Sequence, residues 1–133
     1  MFKHYPLDIH KDAVPAALAS MAAHGQGKFW EYHDKVFANQ QRLQRPLLIQ
    51  YAKDVGLDAK QFEISLAAPQ AKSVVDADVA EAKSLGLTGT PAFFVNGRYL
   101  SGAKPFEEFA RVINAELRRL NLPVPAAAAT TGG

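Results

Sequence analysis

Cysteine is absent from all 133 residues of the chain. That absence excludes disulfide bonds, thiolate nucleophiles, cysteine metal sites and CxxC redox chemistry within it. The sequence also has no run of about 20 apolar residues, the length that a membrane-spanning helix needs. Its start, MFKHYPLDIH, has no apolar stretch typical of a signal peptide. The sequence also has no large excess of positive or negative charge, because 15 Lys and Arg against 13 Asp and Glu give a net charge of +2. We therefore expect neither a nucleic-acid partner nor a membrane partner.

The composition is that of a globular domain, with 48% apolar and 21% charged residues. A chain of this length suits one domain, since single cores span roughly 100–150 residues. Hydrophobic periodicity and helix start and stop residues predict an extended segment, five helices, a hairpin and a last helix. The order indicates an α/β or α+β domain. The extended segment is predicted at 1–7, with a strand at 2–5. The five helices are predicted at 12–24, 27–39, 46–55, 58–69 and 70–85. The two hairpin strands are predicted at 92–95 and 98–101, and the last helix at about 105–120.

Short local signals predict two helix caps and one turn. Asp58 is predicted to cap the fourth helix, with Gln61 three residues later as the second half of a capping box. Asp12 is predicted as the cap of the first helix. Asn96-Gly97 stands between two predicted strands and is typical of a type I′ hairpin turn, which needs positive φ at both positions.

The apolar positions predict which sides of the elements are buried. The continuous run 92–95 is typical of a strand buried on both faces. In the second and last helices, apolar residues recur at helical spacing and are expected to face the core. The two stripes are Phe29, Trp30, His33, Val36 and Phe37, and Phe106, Phe109, Ala110, Ile113, Leu117 and Leu120.

Patterns for metal binding or cofactor binding are weak. The histidines have no spacing such as HExxH, and His33 lies on an aromatic stripe, which favours a packed boundary histidine. Phe29, Trp30 and Tyr32 are interpreted as core residues rather than the lining of a cofactor pocket. Nucleotide-binding loops of the GxGxxG or Walker type are absent. We expect no cofactor and no metal. The histidines are His4, His10, His24 and His33.

Pro91 is the most informative single residue. It stands directly before the predicted strand 92–95, where a missing N–H is unfavourable. The Thr90–Pro91 bond is therefore a candidate for the cis form, and a trans proline that ends the loop is the alternative. A cis bond there would leave the N–H and C=O of Thr90 pointing outward, where an extended peptide could pair with them.

Several segments resemble the thioredoxin-like DsbA family. GTPAFFVNGR, followed by a glycine and an amphipathic helix, resembles the family's cis-proline loop, hairpin and last helix. FKHYPLDIH, GQGKFWEYHDKVFANQ and YAKDVGLDAKQF resemble its second strand and its helical insertion. The resemblance covers about residues 2–120. It implies a thioredoxin-like α/β domain at 1–121, with an all-helical insertion at about 12–86 and a cis-proline loop, hairpin and last helix at 87–121. Residues 122–133 have no hydrophobic periodicity and are expected to form a disordered tail.

The sequence departs from the family at its start. A DsbA-like domain begins with a strand and a CxxC motif that opens a helix, and this first β-α unit is missing here. Because disulfide exchange depends on a low-pKa thiolate, no catalytic residue carries over, and we expect the chain to be redox-inactive alone. Gly89, Thr90 and Pro91 match the family's cis-proline loop, which implies a role in substrate contact.

Three functions remain open at this point. The chain is a truncated copy of a DsbA-like thiol–disulfide oxidoreductase, a cysteine-free module that binds extended peptides, or a relative of the DsbA-like glutathione-dependent isomerases and transferases. The third is disfavoured by the match of FKHYPL and GQGKFWEYHD to DsbA itself. Family members are often extracytoplasmic, but the sequence does not fix the compartment.

Two kinds of partner are expected. The resemblance implies an extended polypeptide at the cis-proline loop. The missing first strand is central in the thioredoxin-like sheet, between the strands at 2–5 and 92–95. Its absence leaves two inner edges with unpaired backbone groups, which cost ~1–3 kcal/mol each when buried. We therefore expect self-association, as a homodimer or by exchange of strands or helices.

Overall fold

The computed structural model describes residues 1–125, so most of the predicted tail lies outside the described residues. The chain divides into two compact units, Met1–Leu87 and Thr88–Gly133, here called the N-terminal unit and the C-terminal unit. In both units the helices, caps and turns largely follow from local features of the sequence.

The N-terminal unit consists of five helices that begin and end within a few residues of the predicted positions. Asp58 caps the fourth as predicted, because its carboxylate accepts the N–H of Gln61 at 2.7 Å. The prediction that the Gln61 side chain completes the capping box is wrong, because the N–H of Asp58 donates to the side-chain oxygen of Gln26 at 2.9 Å. The predicted cap at Asp12 is wrong, since its side chain makes no capping hydrogen bond. The helices are α1 (Ala13–His24), α2 (Phe29–Phe37), α3 (Arg45–Asp54), α4 (Ala59–Ala67) and α5 (Pro69–Ser84).

Small and large side chains together form the core of this unit. Alanines on α1 allow close approach of the neighbouring helices, and they pack around Tyr32 and Phe62, which are fully buried. The Tyr32 hydroxyl donates to the carbonyl of Leu48 at 3.0 Å, so its one polar group is satisfied. Burial raises the pKa of Tyr32, which keeps the phenol protonated. The alanines are Ala19, Ala22 and Ala23.

The predicted strand at residues 2–5 is wrong. Within the described residues the sheet has two strands, and both follow residue 91. The N–H of His4 donates instead to the Asp78 carboxylate on α5, at 2.9 Å. The Asp78 side chain thus accepts the hydrogen bond that a neighbouring strand would accept if residues 2–5 formed part of a sheet.

The C-terminal unit contains a hairpin of β1 (Ala92–Val95) and β2 (Arg98–Ser101). The turn is as predicted, with φ of 51° at Asn96 and 84° at Gly97. The strands are antiparallel, and Val95 is paired with Arg98 next to the turn. The prediction that β1 is buried on both faces is wrong. Phe93 and Phe94 are partly exposed. They point to opposite faces of the hairpin, where Phe93 packs on Phe109 and Phe94 contacts its cross-strand neighbour Tyr99.

The last helix, α6 (Phe106–Arg119), packs on the hairpin through a different side from the one predicted. Phe109 contacts Phe93 with ring centroids 4.8 Å apart, and Val112 and Glu116 are buried. The predicted stripe is therefore correct for Phe109, Ala110 and Leu117, which are at least half-buried, and wrong for its other three residues. The carboxylate of Glu116 lies on the buried side of the helix, and the apolar residues Phe106, Ile113 and Leu120 are exposed.

Candidate functional site

The loop before β1 holds the three predicted contact residues. The Thr90–Pro91 bond is cis, as predicted. Thr90 and Pro91 are exposed, and Gly89 is half-buried. The Pro91 carbonyl accepts the N–H of Gly102 at 2.8 Å, which fastens the loop to the end of the hairpin. The role of these residues in substrate contact stays a prediction.

One edge of β1 carries unpaired backbone groups. The N–H of Gly102 donates to the carbonyl of Pro91, and in an antiparallel ladder every second residue of a strand hydrogen-bonds to the partner strand. Phe93 and Val95 are therefore the β1 residues that exchange hydrogen bonds with β2. The N–H and C=O groups of Ala92 and Phe94 point the other way. These groups form what we call the free edge, with which no strand pairs in residues 1–125.

Glu116 joins α6 to the hairpin turn. This buried carboxylate accepts hydrogen bonds from Asn96 Nδ2 and from Arg119 Nε, both at 2.9 Å, and it forms an ion pair with Arg98. The Asn96 hydrogen bond, followed by that from Arg119, holds the pKa of Glu116 below its ordinary value. Glu116 was not predicted as a buried or functional residue. The available signal was its spacing, since it follows Phe109 and Val112 at i+7 and i+4 on one side of the helix.

The N-terminal unit also has a buried carboxylate, that of Asp78. It is buried on α5, accepts the N–H of His4, and lies 3.1 Å from Lys3 Nζ. Lys3 also pairs with Glu81 at 2.8 Å. Burial lowers the pKa of His4, and the charge of Asp78 opposes that shift. Asp78 was not predicted as a buried residue, although it stands in register with Ala71, Val75 and Ala82.

Two residues of the α2 stripe, Phe29 and Trp30, line a cleft, whereas Val36 of the same stripe packs against the core as predicted. The cleft has a volume of about 530 Å³ and is open to solvent. Its rings form a continuous series of contacts, with Phe2 and Phe29 5.2 Å apart and Phe29 and Trp30 5.0 Å apart. The core lies on the Tyr32 side of α2, so Trp30 is 59% exposed and the prediction for it is wrong. We call this the aromatic cleft; its lining includes Phe2, His4, Met21, His24, Phe29 and Trp30.

Across residues 1–125, no three His, Asp or Glu side chains come together in a way that could hold a metal ion. No helix among those residues combines the length and the apolar character needed to cross a membrane. His33 lies at the rim of the aromatic series, with its Nδ1 2.9 Å from the Asp34 carboxylate.

Solved structures share this fold. The chain is similar to a thioredoxin-like oxidoreductase from Silicibacter pomeroyi DSS-3, with a TM-score of 0.79 and 24% identity over 87% of this chain and 66% of that one. It is also similar to the thiol-disulfide exchange protein alpha-DsbA2 from Wolbachia pipientis, with a TM-score of 0.80 and 17% identity over 87% and 64%. These likenesses define a thioredoxin-like fold. The chain belongs to the DSBA-like thioredoxin domain family, whose model matches residues 2–114.

Curated relatives are much longer proteins. The chain is 40% identical over 109 residues to the Na(+)/H(+) antiporter NhaA of Herminiimonas arsenicoxydans, which covers 82% of this chain and 18% of the antiporter. It is 38% identical over 114 residues to Na(+)/H(+) antiporter NhaA 3 of Salinispora tropica, covering 85% and 18%. The chain thus spans less than a fifth of the length of these two relatives and matches a DsbA-like region of each.

Proposed function

We propose that this chain is the cysteine-free part of a DsbA-like thiol–disulfide oxidoreductase domain and performs no disulfide exchange by itself. The observation that carries the proposal is membership of the family combined with a cysteine count of zero. Exchange proceeds by attack of a thiolate on a disulfide sulfur. The two methionines cannot replace a thiolate, because a thioether forms no disulfide.

In this proposal the chain is a truncated copy of the domain, and the strand and CxxC helix belong to a preceding part of a longer polypeptide. Two observations support it. The match leaves about a third of each solved oxidoreductase chain without a counterpart, since it covers 66% and 64% of them. The relatives in which the region recurs are also several times longer than this chain.

Insulin reduction in the presence of dithiothreitol tests the redox part of this proposal. The purified chain should leave the rate of insulin precipitation at the uncatalysed background, while a CxxC-containing DsbA-type protein raises it. Turnover above background, in a preparation shown to be free of other oxidoreductases, would contradict the proposal. Reading the codons upstream of Met1 tests the truncation, because an in-frame strand and CxxC motif should be found there.

A second proposed function is the binding of extended polypeptides at Gly89, Thr90 and Pro91. The exposed side chains of Thr90 and Pro91 support it, since they are accessible to a ligand. The proposal therefore places the peptide alongside the start of β1.

A matched pair of substitutions tests the binding role. Thr88 and Thr90 are both exposed residues of the same loop. Thr90→Arg should weaken binding of fluorescein-labelled, carboxymethylated insulin B chain by about tenfold, corresponding to ~1.4 kcal/mol. Thr88→Arg should leave it nearly unchanged. Fluorescence anisotropy measures both, and equal affinities for the two variants, or no binding to the unmodified chain, would contradict the role.

A further inference from the structure

We propose that Tyr5 is a positioning residue for the loop before β1, residues 88–91. It acts through the hydrogen bond that its hydroxyl donates to the carbonyl of Leu87 at 2.9 Å, across 82 positions of sequence. Leu87 is the last residue of the N-terminal unit, and the loop begins at the next residue. The inference rests on the proposed binding of extended polypeptides at this loop, and it adds a residue that acts on the loop through its backbone.

Both backbone groups of Leu87 are hydrogen-bonded. Gly86 follows the end of α5 with a φ of 71°, and the N–H of Leu87 donates to the carbonyl of Ala82 at 3.0 Å. This geometry is the Schellman motif that ends many helices, and it fixes the peptide group on the amino side of Leu87. The hydroxyl of Tyr5 fixes the peptide group on the carboxyl side. Tyr5 therefore orients the first peptide group of the loop.

Tyr5 is itself held in place by the residues before it. The N–H of His4 donates to the Asp78 carboxylate, and Lys3 pairs with the same carboxylate and with Glu81. All three contacts join the start of the chain to α5, so the backbone of Tyr5 is restrained before its side chain makes any bond. That side chain is half-buried and has two rotatable bonds, so little conformational entropy opposes the contact with Leu87.

The far end of the loop is fixed by a separate hydrogen bond. The carbonyl of Pro91 accepts the N–H of Gly102 at 2.8 Å. The loop is short, and the bonds at residues 87 and 91 restrain it at both ends. Loss of the Tyr5 bond would release the first end alone, because the peptide group between Leu87 and Thr88 could then rotate.

This restraint bears on binding, because a preorganised loop loses less conformational entropy when a ligand binds it. The apparent affinity falls in proportion to the fraction of molecules in which the loop has its binding conformation. One neutral hydrogen bond shifts such an equilibrium by roughly two- to tenfold. Tyr5→Phe should therefore weaken polypeptide binding by that factor, although it changes no atom of the loop.

Tyr51 provides a matched control. Its hydroxyl also donates to a backbone carbonyl, that of Arg42, at 2.9 Å. Both tyrosines lie in the N-terminal unit, but Arg42 precedes α3, whereas Leu87 precedes the loop. Tyr51→Phe therefore removes the same kind of hydrogen bond and should leave the loop and its binding unchanged.

Backbone NMR relaxation of the full chain, together with fluorescence anisotropy of labelled, carboxymethylated insulin B chain, tests the proposal. In the unmodified chain, the amides of Thr88, Gly89 and Thr90 should have order parameters near ~0.85, typical of rigid backbone. Tyr5→Phe should lower them toward about 0.6 and weaken binding. Replacement of Tyr5 by 4-aminophenylalanine, which restores an N–H donor at the same ring position, should recover both properties.

Three results would overturn the proposal. The first is unchanged order parameters in Tyr5→Phe, the second is an equal loss of order in Tyr51→Phe, and the third is no recovery with 4-aminophenylalanine. Absence of binding by the unmodified chain would instead contradict the proposed polypeptide binding, while the order parameters still decide the role of Tyr5. Failure of the positioning role and failure of the proposed function are therefore distinguishable.

Discussion

A single carboxylate, that of Asp78, fixes the first residues of the chain to α5. Its oxygen accepts the buried N–H of His4, a group 74 positions away in the sequence. No periodic pattern connects two residues so far apart, and an acidic residue on a helix is usually interpreted as exposed. The register of Ala71, Val75 and Ala82 could have shown that position 78 is buried, but not what it binds.

Replacing Asp78 should be costly, and α5 offers a matched control. Asp78→Ala leaves the buried N–H of His4 without an acceptor, which should lower the free energy of unfolding by ~1–3 kcal/mol. Asp76→Ala removes a carboxylate from an exposed ion pair with Lys72 and should cost less than about 1 kcal/mol. Urea unfolding followed by circular dichroism measures both. Equal destabilisation by the two variants would contradict the role given to Asp78.

Among the elements, α6 shows best what local patterns can and cannot predict. Its position and length follow from helical periodicity, and the turn at Asn96-Gly97 follows from the need for positive φ. Its rotation about its own axis was predicted wrongly. The apolar stripe suggested one buried side, whereas hydrogen bonds from the hairpin turn to Glu116 select another. These hydrogen bonds depend on the tertiary structure, which cannot be predicted from the spacing of apolar residues in the helix.

Glu116→Ala should therefore loosen the hairpin from α6. The amide hydrogens of Phe93 and Val95 should exchange faster with solvent, while those of the N-terminal unit keep their rates. Glu107→Ala, at an exposed position of the same helix, is the control and should change neither set. Since the pKa of Glu116 is lowered in the folded chain, its contribution is complete above its ordinary value of 4.5 and is lost as the pH falls below it. Unchanged exchange in Glu116→Ala would refute the anchoring role.

In the whole molecule, burial is distributed unevenly between the two units. The main core cluster lies entirely within Met1–Leu87, whereas Val112 and Glu116 are the buried residues among those described in the C-terminal unit. A two-stranded hairpin needs further packing to be stable in water. The family resemblance predicted the thioredoxin-like fold correctly, but it did not predict this separation, because burial depends on which neighbouring elements are present.

Separate polypeptides should therefore behave differently. Residues 1–87 should retain a helical spectrum and a cooperative thermal transition, because they keep their core. Residues 88–133 alone should show neither at low micromolar concentration. Circular dichroism at increasing temperature measures both, with the full chain as the reference. A broad, non-cooperative transition for residues 1–87 would show that the N-terminal unit depends on the rest of the chain.

The position of Trp30 gives the chain a built-in optical reporter. It is the only tryptophan, it is more than half exposed, and it contacts Phe2 and Phe29 at the mouth of the aromatic cleft. Indole emission from this protein therefore comes from a single place. A molecule that covers the cleft should shift that emission to shorter wavelengths, because it removes water from one side of the ring.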